Sequence, residues 1–424
     1  MRQRLGAVIR DITYDAADRI TGYTHYDAAS AASQPALDQR FGYDELGRLI
    51  SITTATASWS IGYDASGNRT GVTLDGTSSS YTTEATSNRL TSISNPSRTF
   101  GYDASGNTTS DSANYTSSYD LSGRLTTLTK TGATTTYTYN AVGQRVRKVS
   151  STGSSSTVIF VYDLQGHLLG EYDQGGAAIR EYAWLDDRPV AMFTPGPTTQ
   201  PLVYFIHTDH LNTPRVVLDT ANNVRWRWMG EPFGTSAPET NPAGLGVFTQ
   251  NLRMPGQYAD SESGLAYNYF RDYDASTGRY VQSDPIGLTG GVNTYAYVEG
   301  NPLSYVDSSG QHKGDKWYGF NNREFQRWFH KCWKQAGNAD ANKEEIAEAY
   351  AEWVSRGSPT GGKCDNTPPP PPGPAPDACG DTCKKTATAV VVGGTSYVIY
   401  RCLRMLPSLL PPLWPTIPVN AAVP

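Results

Sequence analysis

One short motif recurs along the first half of the 424-residue chain and limits what it can fold into. It reads Tyr-Asp, two variable residues, Gly, then a polar and an apolar residue. Tyr43-Asp44-Glu45-Leu46-Gly47-Arg48-Leu49 is a full copy, and others begin at Tyr63, Tyr102 and Tyr119. Weaker copies begin at Tyr139 and Tyr162, and an early one, Tyr14 to Arg19, has Asp18 where Gly stands elsewhere. The last four tyrosines are 17, 20 and 23 residues apart, and a degenerate copy sits near Asn88-Arg89-Leu90. Each copy predicts one β-hairpin. Alternation such as Thr136-Tyr137-Thr138-Tyr139 has the period of a strand. The Asp carboxylate can accept backbone N–H groups two residues on, and Gly supplies the left-handed conformation that closes the turn. One hairpin cannot bury its apolar side, so the copies must stack into a continuous sheet.

Composition agrees with a β-rich, turn-rich chain: Gly and Pro number 41 and 27, Tyr outnumbers Phe by 27 to 11, and charged residues are 18%. An apolar fraction of 38% is enough to fill a core and excludes a mostly disordered chain. Charge is uneven. Residues 312–424 carry 13 Lys and Arg against 10 Asp and Glu, a net of +3, which leaves −8 for residues 1–311 out of a total of −5. That small positive excess is no signature of nucleic-acid binding. All five cysteines (332, 364, 379, 383 and 402) lie in the C-terminal part, so no disulfide framework is expected in the repeats. The basic start Met1-Arg2-Gln3-Arg4 has no apolar run behind it, and a signal peptide is not expected.

The Tyr-Asp hairpin resembles the YD repeat of the RHS (rearrangement hotspot) family, and residues from about 204 to 310 resemble its core. The matching runs are Tyr204 to Arg215, Trp226 to Gly234, Arg253 to Tyr258, Tyr267 to Asp274, Thr277 to Leu288, Gly290 to Tyr297 and Asn301 to Asp307. The resemblance implies a mainly β fold, a YD-repeat hairpin sheet forming part of a shell, followed by a small α-helical, Pro-rich C-terminal region. It implies a polymorphic toxin, whose shell encloses a variable C-terminal cargo and cuts it free for use between competing bacteria. Its expected partners are the chain's own cargo, an immunity protein and a type VI-like secretion apparatus. It would be made in the bacterial cytoplasm and delivered into a target cell. The chain is short for the family, and an open sheet with exposed edges is expected.

The same resemblance places the family's paired self-cleaving aspartates at Asp284 and Asp307, with Arg279 as supporting cation. Two neighbouring carboxylates share a proton, so one can activate water while the other protonates the departing amide. The cut is expected between Gln311 and His312. Ser308 stands where the family has Pro, and Gln311 where it has Leu. In the plainer reading both aspartates only cap turns. His207-Thr208-Asp209-His210 has a metal-like spacing without a third ligand and is read as structural; no cofactor or metal is assigned.

The expected divisions are 1–190 for the hairpin repeats, 191–311 for the core, 312–357 for a helical hairpin, 358–385 for a Pro-rich linker with a Cys pair and 386–424 for an apolar tail. Phe325, Trp328, Phe329, Cys332 and Trp333 fall on one helical face, with His330 beside them as a packing residue. A second helix from Lys343 to Arg356 turns Ile346, Tyr350, Trp353 and Val354 inward and stops at Gly357. Cys379 and Cys383 suit a local disulfide or half a metal site. The tail's apolar run is short of a membrane span and proline-broken beyond Arg404, which favours a plug docked in the shell over membrane contact. A cleaved toxin carrier, an uncleaved adhesive β-repeat protein and a carrier of a membrane-active cargo all remain open on the sequence. No enzymatic activity is assigned to the cargo.

Overall fold

The computed structural model describes residues 1–151 and 156–311 and, further on, 325, 328–333, 349–354, 356–357, 387–392 and 395–400. Twenty-two strands, from β1 (Arg2–Leu5) to β22 (Val224–Arg227), form one sheet. Each strand pairs antiparallel with the next in sequence, so that Thr127 faces Thr136 and Ile61 faces Val72. The meander runs past residue 190 to Arg227 without a break in this pairing.

The turns explain the motif. Asp44 Oδ1 accepts the backbone N–H of Leu46 (3.0 Å) and Arg48 (2.9 Å), while Oδ2 accepts Arg48 Nε at 2.6 Å. Gly47 closes the loop at φ +78°, which a residue with a Cβ adopts only under strain. Arg48 then leaves its own hairpin: Nη1 donates to the Asp64 carbonyl at 2.7 Å, and the guanidinium lies 4.8 Å from the centre of the Tyr63 ring. The Tyr63 hydroxyl donates back to the Leu49 carbonyl at 3.2 Å. The same tyrosine bond joins Tyr43 to Ile20, Tyr102 to Leu90, Tyr119 to Thr108, Tyr139 to Leu125 and Tyr162 to Arg145. Trp184 makes it through its indole N–H to Leu168. The motif thus encodes a turn and the rung that ties it to the next turn.

Residues 228–311 hold only short elements. β23 (Tyr258–Ala259), β24 (Ala266–Asn268), β25 (Arg271–Asp274) and β26 (Arg279–Tyr280) form a small antiparallel sheet. Their aromatic side chains complete the main core, where Tyr258, Tyr267, Tyr273, Tyr280 and Tyr297 pack with Phe160, Tyr182, Met192, Tyr204 and Trp226 of the meander. The two ends of the meander also meet. Leu5 and Val8 pack with Val216, Leu218 and Met229, and buried Gln39 donates to the carbonyls of Met229 and Gly230.

The chain divides into two compact units, residues 1–321 and 322–424. In the second, Phe325 and Trp328 are helical, Phe329–Trp333 is one π-helical turn, and 349–354 is helical. The Phe325 ring lies 4.9 Å from Tyr350 and 5.7 Å from Trp353, so the aromatic faces of the expected helical pair do meet. Val354, expected inward, is instead exposed. Cys332 is disulfide-bonded. Ala387–Val392 and Thr395–Tyr400 pair as a β-hairpin, so this apolar stretch folds back on itself. His312, the proline run from Pro368 and the Cys379–Cys383 pair lie outside the described residues.

Candidate functional site

Asp284 and Asp307 come together through a residue that spacing had not singled out, Arg271. It begins β25 and is 3% exposed. Its Nη2 lies 3.0 Å from Asp284 Oδ2 and 3.2 Å from Asp307 Oδ2, so one nitrogen bridges both carboxylates. Nη1 donates to the Thr294 carbonyl at 3.0 Å, and Nε donates to the Gly310 carbonyl. Asp284 and Asp307 are 7% and 2% exposed. One cation thus bridges the two buried carboxylates, which do not stand as a bare pair.

The segment that holds the expected cut is wrapped on the same residues. Asp307 Oδ1 accepts the Gln311 N–H at 3.0 Å, which closes residues 307–311 into a tight turn, with Gly310 at φ +72°. Phe270 N–H donates to the Ser309 carbonyl at 3.2 Å, and Asn268 Nδ2 donates to the Asp307 carbonyl at 2.8 Å. Backbone approach is close: a Cβ on Gly310 would collide with the Asn268 carbonyl, and one on Gly256 with that of Ser308. Asp284 is held by its Oδ1 accepting the Ile286 N–H at 3.0 Å, and by its own N–H donating to the Thr294 carbonyl at 2.8 Å. A Cβ on Gly290 would lie 2.5 Å from Asp284 Oδ2 and 2.9 Å from the Gln311 carbonyl oxygen. The Asp284 carboxylate and the carbonyl expected to be attacked therefore flank one small space, which glycine leaves open.

Arg279 goes elsewhere. Its Nη2 donates to the Asn88 carbonyl and its guanidinium lies 4.7 Å from the centre of the Tyr295 ring. The guanidinium that touches both carboxylates is that of Arg271. Arg271 stands 13 residues before Asp284, and no local periodicity links the two; the pairing depends on how β25 packs against the 284–311 segment. Buried Tyr280 also reaches the site, its hydroxyl donating to Asp307 Oδ2 at 2.8 Å. The expectation that either Asp merely caps a turn is half of what is seen: each carboxylate does accept a nearby N–H, and each also meets Arg271.

His207 and His210 do not converge on a common point with Asp209. Asp209 accepts the N–H of Leu211 and Thr213, pairs with Arg215 at 2.7 Å, and so makes a hairpin turn of the repeat type, with Asn212 at φ +63° in place of Gly. His210 Nε2 meets the Leu303 carbonyl at 2.9 Å. His207 is half-buried, and the loss of water, with Arg4 nearby, pushes its pKa down to about 4. Among the described residues, no group of three His, Cys, Asp or Glu side chains could hold a metal.

A meander of Tyr-Asp hairpins packed against a small aromatic sheet is a β-repeat shell fold. The chain belongs to the teneurin YD-shell family, which it matches over residues 6–300. Residues 374–424 match a further family, described as a toxin with a conserved tryptophan and a TIP tripeptide motif. Trp414 and Thr416-Ile417-Pro418 lie in that stretch, where the sequence had read only a proline-broken apolar tail. The chain is similar to the toxin protein Tse5 of Pseudomonas aeruginosa, 42% identical over 108 residues, and to the double-stranded DNA deaminase toxin A of Burkholderia cenocepacia, 40% identical over 108 residues. Each alignment covers 26% of this chain and 8% of the relative. In fold it is similar to the crystal structure of TcdB2-TccC3, with a TM-score of 0.52 and 17% identity, covering 73% of this chain and 19% of that one.

Proposed function

We propose that this chain is the shell end of a polymorphic toxin, which cuts itself between Gln311 and His312 and so frees residues 312–424 as a toxin. The observation that carries the reading is the buried Asp284–Arg271–Asp307 bridge, with the Asp284 carboxylate and the Gln311 carbonyl flanking one space. The chemistry is hydrolysis of one amide. A water oxygen bonds to the Gln311 carbonyl carbon, and a carboxylate takes one of that water's protons. A carboxyl group returns a proton to the His312 nitrogen as the C–N bond breaks, leaving a new carboxylic acid and a new amine. Arg271 keeps both acids and the Gly310 carbonyl in one geometry, so no part of the site has to reorganise as charge develops.

The toxin part rests on the match of residues 374–424 and on relatives whose names are those of toxins. Delivery into another cell, a type VI-like apparatus and a guarding immunity protein belong to the same proposal.

The test is the denatured mass of the purified chain beside Asp284→Ala. Two fragments meeting at Gln311–His312, absent from the variant, support the proposal. A single species of 46.1 kDa for both would overturn self-cleavage and leave a structural β-repeat protein.

A further inference from the structure

Tyr280 touches Asp307, Arg271 and Asn268 together. It ends β26, is 1% exposed, and its ring packs with Tyr273 and Tyr297. Its hydroxyl accepts from Asn268 Nδ2 at 2.7 Å and donates to Asp307 Oδ2 at 2.8 Å. The Arg271 guanidinium carbon lies 3.7 Å from the centre of its ring. Burial first, and the neighbouring Asp307 carboxylate second, push the Tyr280 phenol well above its ordinary pKa, so it stays a donor.

The contacts sort the two oxygens of Asp307. Oδ2 accepts from Arg271 and from Tyr280, while Oδ1 accepts the Gln311 N–H. Three donors hold the Asp307 carboxylate in one orientation. Asp284 Oδ2 also meets Arg271 at 3.0 Å, and it faces the space it shares with the Gln311 carbonyl oxygen. Two acceptor oxygens across one space are joined favourably only through a hydrogen, that of a carboxyl group or of a water.

We infer that Tyr280 is a positioning residue of the self-cleavage reaction. Its hydroxyl holds Asp307 Oδ2, and so fixes the carboxylate whose Oδ1 holds the turn at Gln311. Its ring meanwhile screens the Arg271 cation from water. The inference rests on the self-cleavage reading and assigns roles within it.

The charged and titratable groups acting on Asp307 include Arg271, Tyr280 and Tyr297, with Asp284 across the arginine. A Tyr280→Phe chain keeps the ring and loses the hydroxyl. Chains are made by cell-free translation, arrested, moved to a series of pH values and followed by gel for loss of the uncut form. The wild-type chain and Asp284→Ala run alongside. Tyr280→Phe is expected to cut about 100-fold more slowly, as for a misplacement on the ångström scale. The acid limb of its rate profile is expected at higher pH, since a carboxylate that loses a donor ionises less readily. To separate this from misfolding, thermal midpoints of Asp284→Ala and Asp284→Ala/Tyr280→Phe are compared, and these should nearly coincide. Cutting at the wild-type rate with an unmoved profile overturns the inference while self-cleavage stands. Slow cutting with an unmoved profile and a collapsed midpoint also overturns it, making Tyr280 structural. A wild-type chain that stays as uncut as Asp284→Ala overturns self-cleavage itself, and the inference with it.

Discussion

Arg271 commits all three of its guanidinium nitrogens inside the protein, to two carboxylates and two carbonyls. That arrangement is stable only while it is complete. Arg271→Gln removes the cation that two buried carboxylates share, and a cost of about 3–5 kcal/mol is expected in urea unfolding. The same variant should not cut. Gly290 offers a gentler probe, since its backbone is unstrained and its demand is for space. Gly290→Ala puts a methyl group against the Asp284 carboxylate and the Gln311 carbonyl. The expected outcome is loss of the two-fragment pattern with an unchanged β-sheet signal in circular dichroism. Neither residue could be picked from spacing. Arg271 and Gly290 both fall in runs that carry the family resemblance, but nothing within those runs sets them apart from their neighbours. Asp284 and Asp307 were legible because the family resemblance marks them, and Arg279 drew attention by lying nearer to Asp284 in sequence than the arginine that reaches it.

The hairpin repeat is an element whose chemistry can be varied one rung at a time. Tyr139→Phe removes the bond from the tyrosine hydroxyl to the Leu125 carbonyl, 2.8 Å long, and should cost about 1 kcal/mol in urea unfolding. In the repeat that begins at Tyr162, the arginine of the motif is replaced by His167. Its ring stacks on Trp184 at 4.7 Å and contacts Asp163 at 2.9 Å and Asp187 at 3.1 Å. Burial lowers the His167 pKa, but its bonds to the two aspartates outweigh that and raise it to about 9. A group raised above its unfolded value of about 6.5 stabilises fully below that pH and loses the effect as pH rises through the folded value. His167→Gln is therefore expected to lower the unfolding midpoint most near pH 6, and the gap from wild type should narrow above about pH 9. A gap independent of pH would show that stacking on Trp184, and not charge, holds this rung. The Asp and Gly of each turn were legible because their bonds close within five residues. The tyrosine and arginine rungs were not, because they join one repeat to the next and depend on strand register.

Across the whole meander, the first strands and the last are held to one another by side chains. Arg10 is buried against Tyr23, with its guanidinium 4.1 Å from the ring centre, and it donates to His25 and to the Met229 sulfur. Burial, with Arg10 and Arg215 nearby, pushes His25 down to about 3, so it stays neutral and can accept from Arg10. Removing residues 1–14 would strip Leu5, Val8 and Arg10 from Val216, Leu218 and Met229. Increased binding of a hydrophobic dye is expected, since a contiguous apolar patch becomes exposed. The segment carrying Asp284 leans on the repeats in the same manner: Arg279 and Tyr295 donate to the carbonyls of Asn88 and Gly106, and Asn293 to Asn68. The sheet's far turns are thus part of the frame that holds residues 279–295, and through them Asp284.

Residues close in sequence decide the hairpins. An Asp with two N–H groups in reach and a Gly free to take positive φ specify each turn, and period-two alternation specifies which side of the strand is buried. The sequence alone therefore determined a long antiparallel β-structure, and by resemblance it marked the two aspartates and the bond between Gln311 and His312. It could not determine which arginine stands between those aspartates, that Gly290 must leave room beside them, or that the ends of the sheet meet. Those depend on contacts between residues tens to hundreds of positions apart. Such contacts follow from the accumulated twist and packing of many strands, and no short window of sequence contains that sum.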